Sequence, residues 1–189
     1  MLLRRGDKHA QVGVEVLMVR RARTQSFMPG VWVFPGGAVE PGEPPEVCAA
    51  RELEEETGIS LGEGPELVAW TRWITPEVVP VRFDTLFFVG LAPPHSTPQP
   101  DGREVDAAAW HSPAHALAAH RAGTLELVFP TVKTLETLVG FESADGVVEA
   151  ARDRVIEPIL PRVVGTRDDH RVLLPWDDGY EQTDGQVQA

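Results

Sequence analysis

The chain has 189 residues, with 17 lysines and arginines against 29 aspartates and glutamates, and its formal charge at pH 7 is −12. Hydrophobic residues make up 42% and charged residues 24%, which excludes a disordered chain and predicts a buried core. The acidic balance argues against nucleic-acid polymers or anionic lipid as partners, because those polyanions bind basic surfaces. The single cysteine, Cys48, excludes an intrachain disulfide and a multi-cysteine zinc site.

The length and composition favour one domain over residues 1–189. No apolar run approaches the length that spans a bilayer, and the first residues lack the apolar stretch of a signal peptide. We therefore expect a cytoplasmic protein with no membrane partner. The pattern also predicts a C-terminal helical part at about 111–176 and an acidic, frayed tail at about 177–189.

Most of the elements predicted in the first half of the chain are strands. Runs rich in valine and leucine predict strands at 12–19, 31–34, 66–74, 81–91 and 103–110. A helix is predicted over 44–57, because Pro44 and Pro45 stand in its first turn and Gly58 just past its end. Further helices are predicted at 112–121, 130–141 and 144–157. Strands followed by helices indicate a mixed α/β (α+β) layered domain.

Three glutamates in the first predicted helix point to a metal. Glu52, Glu55 and Glu56 stand at i, i+3 and i+4 and so share one helical face. Arg51 alone cannot neutralise them, whereas a divalent cation can. An all-oxygen cluster selects Mg²⁺ or Mn²⁺ rather than zinc or copper. The alternative is a solvated acidic face, the usual role of a charge run.

The residues around the glutamates favour the metal. Gly37 is followed after five residues by Glu43, then after seven by Arg51-Glu52-Leu53, and then by Glu55-Glu56 and Gly58-Ile59. This run, residues 37–59, matches the Nudix box without interruption, and the chain is therefore similar to Nudix hydrolases. The resemblance implies an α/β/α sandwich with a mixed sheet, here with extra C-terminal helices. It also implies hydrolysis of a nucleoside diphosphate linked to another group, which makes a small phosphorylated nucleotide the expected partner.

The same resemblance implies roles for individual residues. They are the metal ligands Glu52, Glu55 and Glu56, the supporting pair Glu43 and Arg51, and the loop glycines Gly36 and Gly37, which allow the backbone close to the phosphates. The bound metal is expected to acidify the attacking water and to draw charge from the diphosphate. A general base must take that water's proton, and Glu52, Glu56 and Glu104 remain alternatives.

Shorter stretches resemble the coenzyme A and acyl-CoA diphosphatase branch. They are 20–23 with 27–37, Trp73-Ile74-Thr75-Pro76, 82–88 and Leu173-Leu174-Pro175-Trp176. One departure is Ser26, which stands where part of that branch carries an arginine, with Arg23 as the nearest substitute. Coenzyme A is therefore one expectation beside ADP-ribose, dinucleoside, nucleotide-sugar and altered nucleoside triphosphate substrates.

Other substrate contacts are expected from a few isolated side chains. Arg23 and Arg82 could hold phosphates or serve as surface ion-pair partners, and Trp32 could stack on a base or belong to the core. The helices beyond residue 111 are expected to cap the sheet or to form the face of a homodimer. A nucleotide-sensing module without catalysis is the rival function, but a pure sensor has no reason to retain all four box glutamates.

Overall fold

The computed structural model describes residues 1–5, 13–62, 66–166, 169–183 and 187–188. The chain divides into two compact units. The first consists of Met1–Ala69 and Phe88–Arg154, and the second of Trp70–Phe87 and Val155–Ala189. The whole segment that carries the box lies in the first unit.

Along the described ranges, strands come in groups that are separated by one helix and then by three helices. The strands are β1 (Leu2–Arg5), β2 (Val14–Arg21), β3 (Trp32–Val33), β4 (Val68–Ile74), β5 (Asp84–Leu91), β6 (Val105–His111), β7 (Pro158–Ile159), β8 (Arg162–Thr166), β9 (His170–Leu173) and β10 (Val187–Gln188). The helices are α1 (Pro45–Thr57), α2 (Pro113–Arg121), α3 (Phe129–Leu138) and α4 (Ala144–Arg152). The predicted helices at 44–57 and 112–121 are confirmed to within one residue. The N-terminal strand β1 was not predicted.

The first unit is built on a mixed sheet. Strand β1 pairs with β2 in antiparallel fashion and with the end of β5 in parallel. Strand β2 also pairs antiparallel with β3 and, over most of its length, with β6. Its side chains Leu17, Met18 and Val19 are completely buried. A strand buried on both faces needs the continuous apolar run that residues 16–19 supply.

Helices cover both faces of this sheet. Leu17 pairs with Trp110, and Leu17 packs in one apolar cluster with Leu53 of α1. The neighbouring pair, Val16 and His111, faces the other way, and the His111 ring stacks on His115 of α2 with 6.4 Å between centroids. These contacts give helix, sheet and helix layers within the first unit, and they confirm the predicted mixed α/β sandwich.

Strands form the C-terminal part of the second unit, where the sequence predicted helix as far as residue 176. In this unit β4 pairs in parallel with β7, β8 pairs antiparallel with β9, and β10 runs parallel to β8. The predicted helical part at 111–176 is therefore wrong beyond Arg152, and the helix expected at 144–157 ends there. Pro158 and Pro161 cannot continue a helix, and Arg162–Thr166 then forms a strand.

The start of the acidic tail is ordered. Residues 177–183 form turns, and Tyr180 is only 8% exposed. The Tyr180 hydroxyl donates a hydrogen bond to the Leu160 carbonyl over 2.7 Å, and the Arg162 guanidinium lies 4.1 Å from the centre of its ring. The prediction of a frayed tail is wrong for these residues, while 184–186 and 189 lie outside the described residues. None of the helices that the structure describes is both long and apolar enough to cross a membrane.

Candidate functional site

The site is built on helix α1 and the loop that precedes it. Pro45 occupies the first turn of α1, where its missing N–H has no partner to lose. The helix ends at Gly58, which takes the left-handed conformation with φ 67° and donates its N–H to the Glu54 carbonyl over 2.8 Å. The helix length therefore follows from local signals, and it fixes which glutamates share a face.

Arg51 and Glu43 join the loop to the helix. The Nε of Arg51 donates to one Glu43 carboxylate oxygen over 2.9 Å, and its Nη2 donates to the other over 3.0 Å. The Glu43 carboxylate also accepts the N–H of Glu40 over 3.0 Å. Hydrogen bonds from Arg51 are the main reason that the pKa of Glu43 falls to about 2. This two-pronged pair holds the loop against α1.

The same guanidinium reaches two of the clustered glutamates. The Nη1 of Arg51 donates to Glu52 over 2.8 Å and to Glu55 over 3.3 Å. The Glu52 carboxylate also lies directly against the backbone of Gly37, where an added Cβ would overlap it. Gly37 is therefore required for this approach of the loop to the Glu52 carboxylate. The close approach of Gly36 and Gly37 to the phosphates of a substrate stays a prediction.

Glu56 is the buried member of the cluster. Its side chain accepts the N–H of Gly36 over 3.0 Å, and the residue is only 6% exposed. Burial raises the pKa of its carboxyl to about 8, the charges of Glu52 and Glu104 add to that rise, and the Gly36 N–H and Arg21 oppose it. A carboxyl group in such surroundings holds its proton near neutral pH unless a cation balances it.

Glu104 comes to the cluster from a distant part of the sequence. It lies just before β6, exposed, and its charge acts on Glu56. Its backbone carbonyl accepts the N–H of Ala22 over 2.8 Å, which ties this segment to the end of β2. The structure thus brings the box glutamates Glu43, Glu52 and Glu55 together around Arg51, and Glu104 acts on Glu56 through its charge.

Of the predicted substrate contacts, Trp32 does not join this group. Trp32 pairs with Arg20, and its ring stands edge-on to His111 at 5.1 Å, so it lies on the sheet face opposite α1. Arg23 lies exposed in the turn after β2. Arg82 belongs to the second unit, where its Nε donates to the Thr75 carbonyl over 3.1 Å.

The donor set fits a hard divalent cation. Among the residues that the structure describes, no three histidine, cysteine, aspartate or glutamate side chains already stand in a metal-binding arrangement. Instead Arg51 stands between Glu52 and Glu55, and Glu56 turns to the Gly36 amide. The oxygen-only donors and the buried carboxyl of Glu56 suit Mg²⁺ or Mn²⁺, and Glu52, Glu55 and Glu56 would hold it.

Asp101 belongs to this region, although the sequence did not identify it as a candidate. Asp101, at the end of the proline-rich loop, accepts backbone N–H groups of the segment that carries Glu104. The Asp-Gly pair at 101–102 marks a turn, but a turn signal does not show which neighbouring side chain the turn presents.

Comparison with known proteins places the chain in a family. The NUDIX domain pattern matches residues 1–129. The chain is 35% identical over 127 residues to the m7GpppN-mRNA hydrolase NUDT17 of Xenopus laevis, an alignment that covers 60% of this chain and 43% of that protein. It is 34% identical over 110 residues to the NAD-capped RNA hydrolase NudC of Stutzerimonas stutzeri, covering 58% and 34% respectively. The chain thus spans less than half the length of these relatives.

Solved structures agree with that placement. A NUDIX hydrolase from Alicyclobacillus acidocaldarius superposes with a TM-score of 0.67 at 29% identity, over 78% of this chain and 92% of that one. An Ap4A hydrolase of Caenorhabditis elegans shares the fold, with a TM-score of 0.53 at 19% identity over 74% and 94%. The family pattern covers the loop, the helix and the sheet described above, and the chain belongs to the Nudix family.

Proposed function

We propose that the protein is a metal-dependent hydrolase that cleaves the diphosphate of a nucleoside diphosphate linked to another group. The observation that carries this proposal is the arrangement of Glu52, Glu55 and Glu56 around the Arg51 guanidinium, directly against the Gly37 backbone. Family membership supports it, because the relatives compared above are named as hydrolases. A solvated acidic face would not need a buried carboxyl such as that of Glu56.

The residues of the box have separate roles in the proposed hydrolysis. A bound Mg²⁺ or Mn²⁺ would supply positive charge to the diphosphate and lower the pKa of the attacking water. Glu52, Glu55 and Glu56 would bind that ion, while the Glu43–Arg51 pair keeps loop and helix in register. Gly37 lets the loop backbone lie directly against the Glu52 carboxylate, and without a side chain it would leave room for the substrate's phosphates.

Glu104 is our candidate for the general base. It comes from outside the helix, and its charge acts on Glu56. It is exposed, and can therefore exchange protons with solvent between turnovers. Glu52 and Glu56 lose their freedom to act as bases when they bind the ion, which favours Glu104.

The substrate is proposed as a class. Short motifs such as Trp73-Ile74-Thr75-Pro76 support coenzyme A or acyl-CoA, although Ser26 replaces an arginine of that branch. The relatives named above are hydrolases of m7GpppN-mRNA and of NAD-capped RNA. Cap nucleotides therefore belong beside coenzyme A, ADP-ribose and nucleotide sugars among the candidates, despite the net charge of −12.

A substrate panel with product identification tests this proposal. The panel holds coenzyme A, acetyl-CoA, ADP-ribose, NADH, Ap4A, m7GpppN cap analogue and a nucleotide sugar, each with Mg²⁺, with Mn²⁺ and with EDTA. We expect a nucleoside monophosphate or diphosphate product that requires the metal. A 3′,5′-ADP product identifies coenzyme A as the substrate. Tight binding of a panel member without turnover would favour the sensing function instead.

A further inference from the structure

The loop before β6 is organised around one carboxylate. The Oδ1 of Asp101 accepts the backbone N–H groups of Arg103 and Glu104 over 3.1 Å and that of Val105 over 2.9 Å. Its Oδ2 also accepts the Glu104 N–H over 3.1 Å. Three consecutive amides thus converge on one side chain, and the backbone of Glu104 is held at the centre of that group.

The same loop is fastened to helix α1. The N–H of Asp101 donates to the carbonyl of Glu56 over 3.3 Å, and the N–H of Gln99 donates to that of Thr57 over 2.8 Å. These carbonyls belong to the last turn of α1, which has no intrahelical donors left to satisfy them. The position of the loop is therefore set relative to the box glutamates.

We propose that Asp101 is a positioning residue, whose carboxylate holds the 101–105 loop so that the Glu104 side chain stays beside Glu56 during hydrolysis. This inference rests on the proposed function, with Glu104 as the general base. A base acts only within hydrogen-bond reach of its proton, so loosening its backbone lowers the fraction of time in productive geometry. Asp101 then affects the chemical step and leaves substrate affinity unchanged.

Two variants of Asp101 and one control separate positioning from folding. Asp101→Ala removes all the acceptors, whereas Asp101→Asn keeps the Oδ1 acceptor. Asp177→Ala is the matched control, because the Asp177 carboxylate also accepts a loop amide, that of Leu174 over 2.8 Å, but in the second unit. For each variant, kcat and KM are measured on the best panel substrate, and amide hydrogen exchange is measured without substrate.

We expect Asp101→Ala to lower kcat by about tenfold or more with KM unchanged, and Asp101→Asn to recover most of that loss. Asp177→Ala should leave both constants unchanged. In a Glu104→Gln background, which itself should lower kcat by about a hundredfold or more, adding Asp101→Ala should change little. Equal losses in both backgrounds, or a rise in KM alone, would overturn the proposal.

Hydrogen exchange gives a readout that does not need turnover. In Asp101→Ala the amides of Glu104 and Val105 should exchange faster, while the amides of the last turn of α1 stay protected. Unchanged exchange at both amides would overturn the anchoring role whatever the kinetics show. Full activity of Glu104→Gln would overturn this inference and leave the metal-dependent hydrolysis intact. Failure of the whole panel would refute the hydrolase proposal instead, and the exchange data would still decide whether Asp101 holds the loop.

Discussion

Replacing Glu56 with glutamine should stabilise the metal-free protein at neutral pH. The Glu56 carboxyl is 6% exposed, and burial together with Glu52 and Glu104 raises its pKa from the ordinary 4.5 to about 8. The folded protein therefore keeps a proton that the unfolded chain releases, and the stability falls as the pH rises from 4.5 towards 8. Glutamine has nearly the same shape, can still accept the Gly36 N–H and never ionises.

The magnitude follows from the two pKa values. With these values, the Glu56 carboxyl lowers the free energy of unfolding by about 4 kcal/mol at pH 7.5 and by less than about 1 kcal/mol at pH 5. The variant Glu56→Gln should therefore be more stable than the wild type, and this difference in unfolding free energy should grow by on the order of 3 kcal/mol from pH 5 to pH 7.5. Mg²⁺ or Mn²⁺ should reverse the order, because the ion stabilises only the protein that keeps its ligands.

Urea denaturation in EDTA at pH 5 and at pH 7.5 measures this difference. Glu54→Gln is the control, because Glu54 is exposed on the same helix and hydrogen-bonds to the Ser60 hydroxyl over 3.1 Å. Its substitution should change the stability by less than about 0.5 kcal/mol at both pH values. The reasoning about Glu56 is refuted if Glu56→Gln has the same effect at pH 5 and pH 7.5, or if it destabilises the protein at pH 7.5.

Three further substitutions test single contacts. Gly37→Ala should push the Glu52 carboxylate from its place and lower kcat/KM by about tenfold or more with little change in the urea midpoint; a wild-type rate would remove the need for glycine there. Gly58→Ala should cost about 1 kcal/mol in urea denaturation, since φ is 67° at the end of α1, and a neutral result would argue against that cap. Tyr180→Phe should cost about 1 kcal/mol through loss of the bond to the Leu160 carbonyl, and an unchanged unfolding curve for the second unit would contradict an ordered tail.

Local signals allowed the box region to be predicted. Pro45 and Gly58 mark the ends of α1, and helical spacing alone places Glu52, Glu55 and Glu56 on one face. The valine- and leucine-rich run of β2 likewise predicts a buried strand. These features depend on neighbours a few residues apart, so the sequence contains most of the information that determines them.

Features that depend on distant pairing could not be predicted in this way. The C-terminal strands form because Arg162–Thr166 pairs with His170–Leu173. The residue pattern before Pro158, by contrast, is typical of a helix. The face on which Trp32 lies depends on the pairing of β3 with β2, and a one-residue shift would reverse it. Asp101 gains its place only from a loop that folds back on the end of α1.

Metal-dependent hydrolysis by the adjacent variants Glu55→Gln and Glu54→Gln tests the central claim most directly. Both residues are exposed glutamates of α1, but only Glu55 contacts Arg51 in the cluster, while Glu54 bonds to Ser60. On the best substrate of the panel, with Mg²⁺ saturating for the wild type, Glu55→Gln should lower kcat/KM by about a hundredfold or more and Glu54→Gln by less than about twofold. Equal rates in the two variants would contradict a metal site on this face of the helix.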